Sequence, residues 1–169
     1  IFGFHFASLD IRQDSRIHKQ VFDEIFSHPE IRNYVEGLPE NFDELDTPSR
    51  HHVLTTLKGD VPAASFESSI TKETLGSIRA MRIIQECNGE RGCNRYIISN
   101  CQPIGNILEL FALHNICNWD QPTVDIIPLF ETTPDLKVCE KIMQTLYENV
   151  PYRKHLSSRG EKQSVMLCF

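Results

Sequence analysis

Glu131 ends the mostly apolar run Val124-Asp125-Ile126-Ile127-Pro128-Leu129-Phe130 and precedes Thr132-Thr133-Pro134-Asp135. The run reads as a strand buried on both faces, as in a parallel sheet. Thr133 is expected as the N-cap of the next helix, with Pro134 at its first position. α/β-barrel enzymes keep their chemistry at the C-terminal ends of parallel strands, so this carboxylate is the first candidate for chemistry. A loop glutamate facing water is the competing reading, because strand-to-helix turns are often polar. Arg12 and Gln13 have a comparable place. Residues 3–12 read as a strand that runs into Gln13-Asp14-Ser15 and a helix.

The elements that must position these residues follow from periodicity. Asp14 or Ser15 caps a helix in which Ile17, Val21, Phe22 and Ile25 share a face. Residues 37–46 and 60–69 read as loops around a short helix opened by Thr47-Pro48. Residues 71–87 form a helix with Leu75, Ile78, Met81 and Ile84 inward, and Gly89 lies beyond its end. Residues 96–99 are a short buried strand. A helix begins at Pro103, with Ile104, Ile107, Leu108 and Phe111 on one stripe. After strand 123–130 comes a helix over 134–148, with Leu136, Cys139, Met143 and Leu146 on one side. One or two further helical turns over 151–158 and a last strand over 164–169 complete the chain. From Arg95 onward the order is strand-helix-strand-helix-strand, which predicts a parallel sheet with right-handed crossovers.

Composition narrows the function classes. A length of 169 residues with 40% apolar content fits one domain with a core, and a net charge of -6 offers no basic footprint for nucleic acid. A few arginines can still focus an anionic substrate. No apolar run is long enough to cross a membrane, and the N-terminal residues do not form a signal peptide. The chain starts Ile-Phe-Gly, so an excised or incomplete segment is expected. Six cysteines contain no C-x-x-C pair. Cys101, Cys139 and Cys168 are expected as buried free thiols of a cytoplasmic protein.

Five motifs in order resemble phosphoenolpyruvate carboxylase: "LDIRQDS" (9–15), "ETLGSIRAMRIIQE" (73–86), "RYIISNCQPIGNILEL" (95–110), "VDIIPLFET" (124–132) and "KQSVMLCF" (162–169). The resemblance implies an α/β fold that is part of a (β/α) barrel, with about four parallel strands and flanking helices. Residues 1–169 would then be a single incomplete domain, a half-barrel piece of a larger enzyme. It implies a lyase that joins bicarbonate to phosphoenolpyruvate, giving oxaloacetate and phosphate. The reaction is phosphoryl transfer to bicarbonate and then attack of an enolate on carbon dioxide. Such chemistry calls for Mg2+ or Mn2+ to stabilise developing charge, and for arginines whose planar fork matches phosphate oxygens.

By the same resemblance Glu131 matches the family's metal-binding glutamate, and Arg12 a catalytic, phosphate-binding arginine for the substrate. An ion pair of Arg12 with Asp10 or Asp14 is the alternative. Gln13 can bind substrate or serve only as a polar helix-start residue. His18 matches a family histidine and reads as a structural hydrogen-bonding group. His5, His51, His52 and His114 show no metal-ligand spacing, and Trp119 reads as packing. The family's second metal carboxylate belongs to the motif expected after Phe169, and Cys168 stands where the family has glycine. The expected partners are phosphoenolpyruvate, bicarbonate, the rest of the parent enzyme and, when complete, copies of itself. A truncated module that only folds or binds partner protein is the alternative. Another barrel enzyme acting on enolpyruvate or pyruvate is a third possibility.

Overall fold

The computed structural model describes residues 7–168. The expected strand residues 3–6 and the terminal Phe169 lie outside the described residues. A four-stranded sheet carries the fold: β1 (Asp10–Asp14), β4 (Arg95–Ser99), β5 (Asp125–Phe130) and β6 (Met166–Leu167), in the spatial order β1-β4-β5-β6. All three pairings are parallel. Six helices accompany it: α1 (Ser15–Ser27), α2 (Thr47–Thr56), α3 (Ser69–Asn88), α4 (Ile104–Asn115), α5 (Thr133–Glu148) and α6 (Val150–Ser158). The parallel sheet predicted from Arg95 onward is therefore observed, with β4, β5 and β6 as neighbours.

Strand alternation gives the sheet two different faces. Tyr96, Ile98, Ile126 and Phe130 point into the main core, together with Val21, Ile25, Leu75, Ile78 and Met81 from α1 and α3. Ile97, Ile127 and Leu129 point the other way, with Met166 packed on them as a separate small apolar strip. Between α1, α2 and α5 runs α4, apolar around most of its circumference and buried at nine positions. A helix of that composition has to sit inside other elements.

Several details depart from the pattern reading. Residues 7–9 lie outside β1, which runs from Asp10 to Asp14 and ends two residues beyond the expected Arg12, so Arg12 lies in mid-strand opposite Ile97. Pairing with β4 extends the strand through residues whose polarity looked like its end. Thr132, not Thr133, caps α5, because Asp135 stands three residues after it and completes a capping box. The buried face of α5 is Ile142, Met143 and Leu146, and Leu136 is exposed. Cys101 is buried, but Cys139 is only partly so and Cys168 is exposed, against the expectation of three buried thiols. A two-residue ladder, β2 (Val35–Glu36) with β3 (Lys58–Gly59), lies at the borders of the two loops. It requires glycine at 59, where a Cβ would stand 2.1 Å from the Tyr34 carbonyl oxygen. Trp119 packs as expected, its ring against that of His114.

Candidate functional site

The site starts from two side chains that alternation sends to the same sheet face. Arg12 pairs in register with Ile97, which pairs with Ile127. Glu131 is four residues beyond Ile127 and shares its parity, so it stands at the C-terminal mouth of β5 on the face that carries Arg12. The Arg12 guanidinium donates to Glu131 Oε1 at 2.7 Å, bridging from β1 to β5 over the end of β4. The side chains are 54% and 32% exposed, so the pair opens to solvent.

The carboxylates that could have taken Arg12 locally have other partners. Asp10 accepts from Arg95 at 2.8 Å. Asp14 caps α1 through the Arg16 N–H and also holds the Arg16 guanidinium at 2.7 Å. Those bonds to Arg16 outweigh the effect of burial and hold the Asp14 carboxyl below its ordinary pKa. Gln13 alternates to the opposite face from Arg12. Its Oε1 accepts the Asp14 N–H at 3.0 Å, and it lines a cavity of about 320 Å3 with Ile11, Ile17 and Tyr96, which Arg12 also borders. It takes no part in the contact between Arg12 and Glu131.

The mouth of β5 is fixed from below by Asp135, which pattern reading passed over as an ordinary helix-start residue. Its carboxylate accepts the Thr132 N–H at 2.9 Å, the Glu131 N–H at 3.3 Å and the Gln102 amide at 3.2 Å. The signal was present in the spacing Thr132-x-x-Asp135. On the other side of β5, the Cys168 N–H donates to the Phe130 carbonyl at 3.2 Å. The register Leu129 to Met166 and Phe130 to Leu167 continues to place Cys168 beside Glu131.

His18 lies in the other layer. It is fully buried, and its Nε2 lies 3.0 Å from the Tyr96 hydroxyl. Burial, then the neighbouring His114, lowers its pKa to about 3, so the ring is neutral at physiological pH. This is the structural hydrogen bond expected of it. His114 is equally buried, with Nδ1 2.8 Å from the Leu110 carbonyl oxygen.

Glu131 offers a hard carboxylate oxygen of the type Mg2+ and Mn2+ prefer. Among the described residues there is no group of three His, Cys, Asp or Glu side chains that could hold a metal ion. Glu131 therefore fits such an ion as one ligand and does not form a complete set.

The family model for phosphoenolpyruvate carboxylase matches residues 1–169. Phosphoenolpyruvate carboxylases of Nitrosomonas eutropha and Nitrosomonas europaea are each 37% identical to the chain over its whole length. That of a Synechococcus strain is 33% identical over the same span. The chain spans only 16–18% of the length of these relatives. With the whole chain matched at this identity, it belongs to the phosphoenolpyruvate carboxylase family.

Proposed function

We propose that the chain forms part of a (β/α)-barrel active site that carboxylates phosphoenolpyruvate with bicarbonate to oxaloacetate and phosphate. The contact between Arg12 and Glu131 at the strand mouth carries this reading. It puts a phosphate-matching fork and a cation-matching carboxylate within one hydrogen bond of each other. A bound Mg2+ or Mn2+ would supply charge stabilisation for the substrate carboxylate and the enolate oxygen. Without substrate, the two side chains neutralise each other. An exposed pair of this kind is worth at most about 1 kcal/mol, so exchanging partners costs little. Arg12 can then turn to the phosphate, leaving Glu131 free for the cation. The strip of Ile97, Ile127, Leu129 and Met166 beneath them gives an apolar wall that limits water near the enolate.

The four strands would be half of the eight needed for closure, and the remaining metal and phosphate ligands would come from chain outside residues 1–169. A cytoplasmic, oligomeric enzyme is the setting we infer, in keeping with six unpaired cysteines. A purely non-catalytic module is not favoured, because Arg12 and Glu131 are both retained and in contact. The test is oxaloacetate formation from phosphoenolpyruvate and bicarbonate with Mg2+. The 169-residue chain alone should give none. The complete enzyme should lose metal activation in Glu131→Gln. Unchanged metal dependence in that variant would remove Glu131 from the site.

A further inference from the structure

Asp135 does more than a capping box requires. In such a box the third helical residue satisfies the N–H of the cap, here Thr132. The Asp135 carboxylate also takes the N–H of Glu131 and, through its other oxygen, the side-chain amide of Gln102. One buried carboxylate, 1% exposed, thus ties the backbone of Glu131 to the loop that follows β4. All three of its contacts are donors, from the Thr132 and Glu131 N–H groups and the Gln102 amide, so the carboxylate acts only as an acceptor.

Its charge matters as much as its bonds. The N-terminus of α5 carries the equivalent of about half a positive charge and lies immediately beyond Glu131. Left alone, that end would draw anions and oppose a cation at the Glu131 carboxylate. Asp135 lies within the first turn and offsets it.

We propose that Asp135 is the positioning residue for Glu131: it fixes the backbone from which that carboxylate projects and cancels the positive helix end, so that the strand mouth accepts a divalent cation. This rests on the reading of Glu131 as a metal ligand. Partners that orient a metal ligand commonly influence affinity as much as tenfold or more.

The test is a Mn2+ titration of the isotope-labelled 169-residue chain, below the onset of association. It follows paramagnetic broadening of the Glu131 amide signal and the hydrogen-exchange rate of that amide. Asp135→Asn, which removes the charge and keeps an acceptor oxygen, should raise the Mn2+ concentration for half-broadening by about tenfold; Asp135→Ala, which removes both, should also speed exchange at Glu131. Thr132→Ala is the control. It removes the cap and lowers the melting temperature, but keeps the bond between Asp135 and Glu131, so half-broadening should stay within about twofold. Unchanged titration in Asp135→Asn overturns the proposal. So does equal weakening in Asp135→Asn and Thr132→Ala, which would mean a helix cap and nothing more. If Glu131→Gln leaves the broadening at residue 131 intact, the metal reading itself falls. The exchange rate in Asp135→Ala then still decides whether Asp135 holds that backbone.

Discussion

Arg12 has carboxylates two residues away on either side, Asp10 and Asp14, and pairs with neither. It reaches across β4 to a residue 119 positions later. Strand parity could place Arg12 and Glu131 on one face only once the register was known. Their association with one site came from the family motifs, because spacing says nothing about partners so far apart. Because the pair is exposed, Arg12→Ala should shift the melting temperature by no more than about 3 °C. In the complete enzyme the same change should reduce phosphoenolpyruvate use by roughly one to two decades, the value of a charge-assisted phosphate contact. A large thermal shift with unchanged kinetics would make Arg12 a structural residue. The buried pair of His18 and Tyr96 should behave in the opposite way. His18→Phe removes the 3.0 Å partner of the buried Tyr96 hydroxyl, leaving it only Ser77, and should cost about 1–3 kcal/mol in urea unfolding, without loss of metal binding. The double change with Tyr96→Phe should recover most of that cost, since no hydroxyl short of a partner remains. No recovery would mean that ring packing, not the hydrogen bond, is what His18 supplies.

At the scale of elements, the helices were legible because their apolar stripes are long and their caps chemically distinct. Neither signal exists for the two-residue strands β2 and β3, which are set by tertiary pairing and the close approach at Gly59. The end of β1 was read two residues short because Gln13 and Asp14 are polar, and only pairing with β4 makes them part of the strand. The helices also carry buried titratable groups that sequence could not reveal. Burial lowers the pKa of His18 on α1 to about 3, and those of His114 on α4 and His155 on α6 to about 4. Burial raises that of Glu109 on α4 to about 7. The histidine contribution is present above about pH 6.5 and is lost as pH falls toward 3–4. The Glu109 contribution has the opposite sign: present below about 4.5, it is lost as pH rises through about 7. Between pH 6.5 and 4.5, these three histidines, joined by the half-buried His51, oppose one glutamate. Stability should therefore fall with acidification, on the order of a few kcal/mol per pH unit from two or more net groups. Glu109→Gln should leave stability near pH 4 unchanged and raise it at pH 8 by up to about 3 kcal/mol. Urea midpoints at pH 4, 5, 6, 7 and 8 measure both. A flat profile between 7 and 5 would mean that these rings are solvated in the folded state.

For the molecule as a whole, the informative feature is what the sheet leaves open. Its order β1-β4-β5-β6 gives β1 and β6 one unpaired side each among the described residues. Helices pack on the main-core face of the sheet, whereas the other face carries Arg12, Glu131 and the small separate strip of Ile97, Ile127, Leu129 and Met166. Beside the two edges, Leu9, Val165 and Leu167 are 51%, 40% and 48% exposed. The apolar residues Phe2, Phe4 and Phe6 lie outside the described part. A closed barrel would bury such edges, because strand closure removes them altogether. The half-barrel reading thus has a consequence for the 169 residues in solution. A net charge of -6 favours dispersal, but charge acts over about 10 Å at ordinary salt and does not satisfy an open ladder of N–H and C=O groups. Edges with apolar flanks pair with other chains. The chain should therefore self-associate, with an apparent mass that rises across a concentration series in sedimentation and light scattering. Added salt, which screens the repulsion, should strengthen the association. A monomer that stays at 19.5 kDa through that series and unfolds cooperatively would mean that the chain closes its own core, and the half-barrel reading would have to be given up.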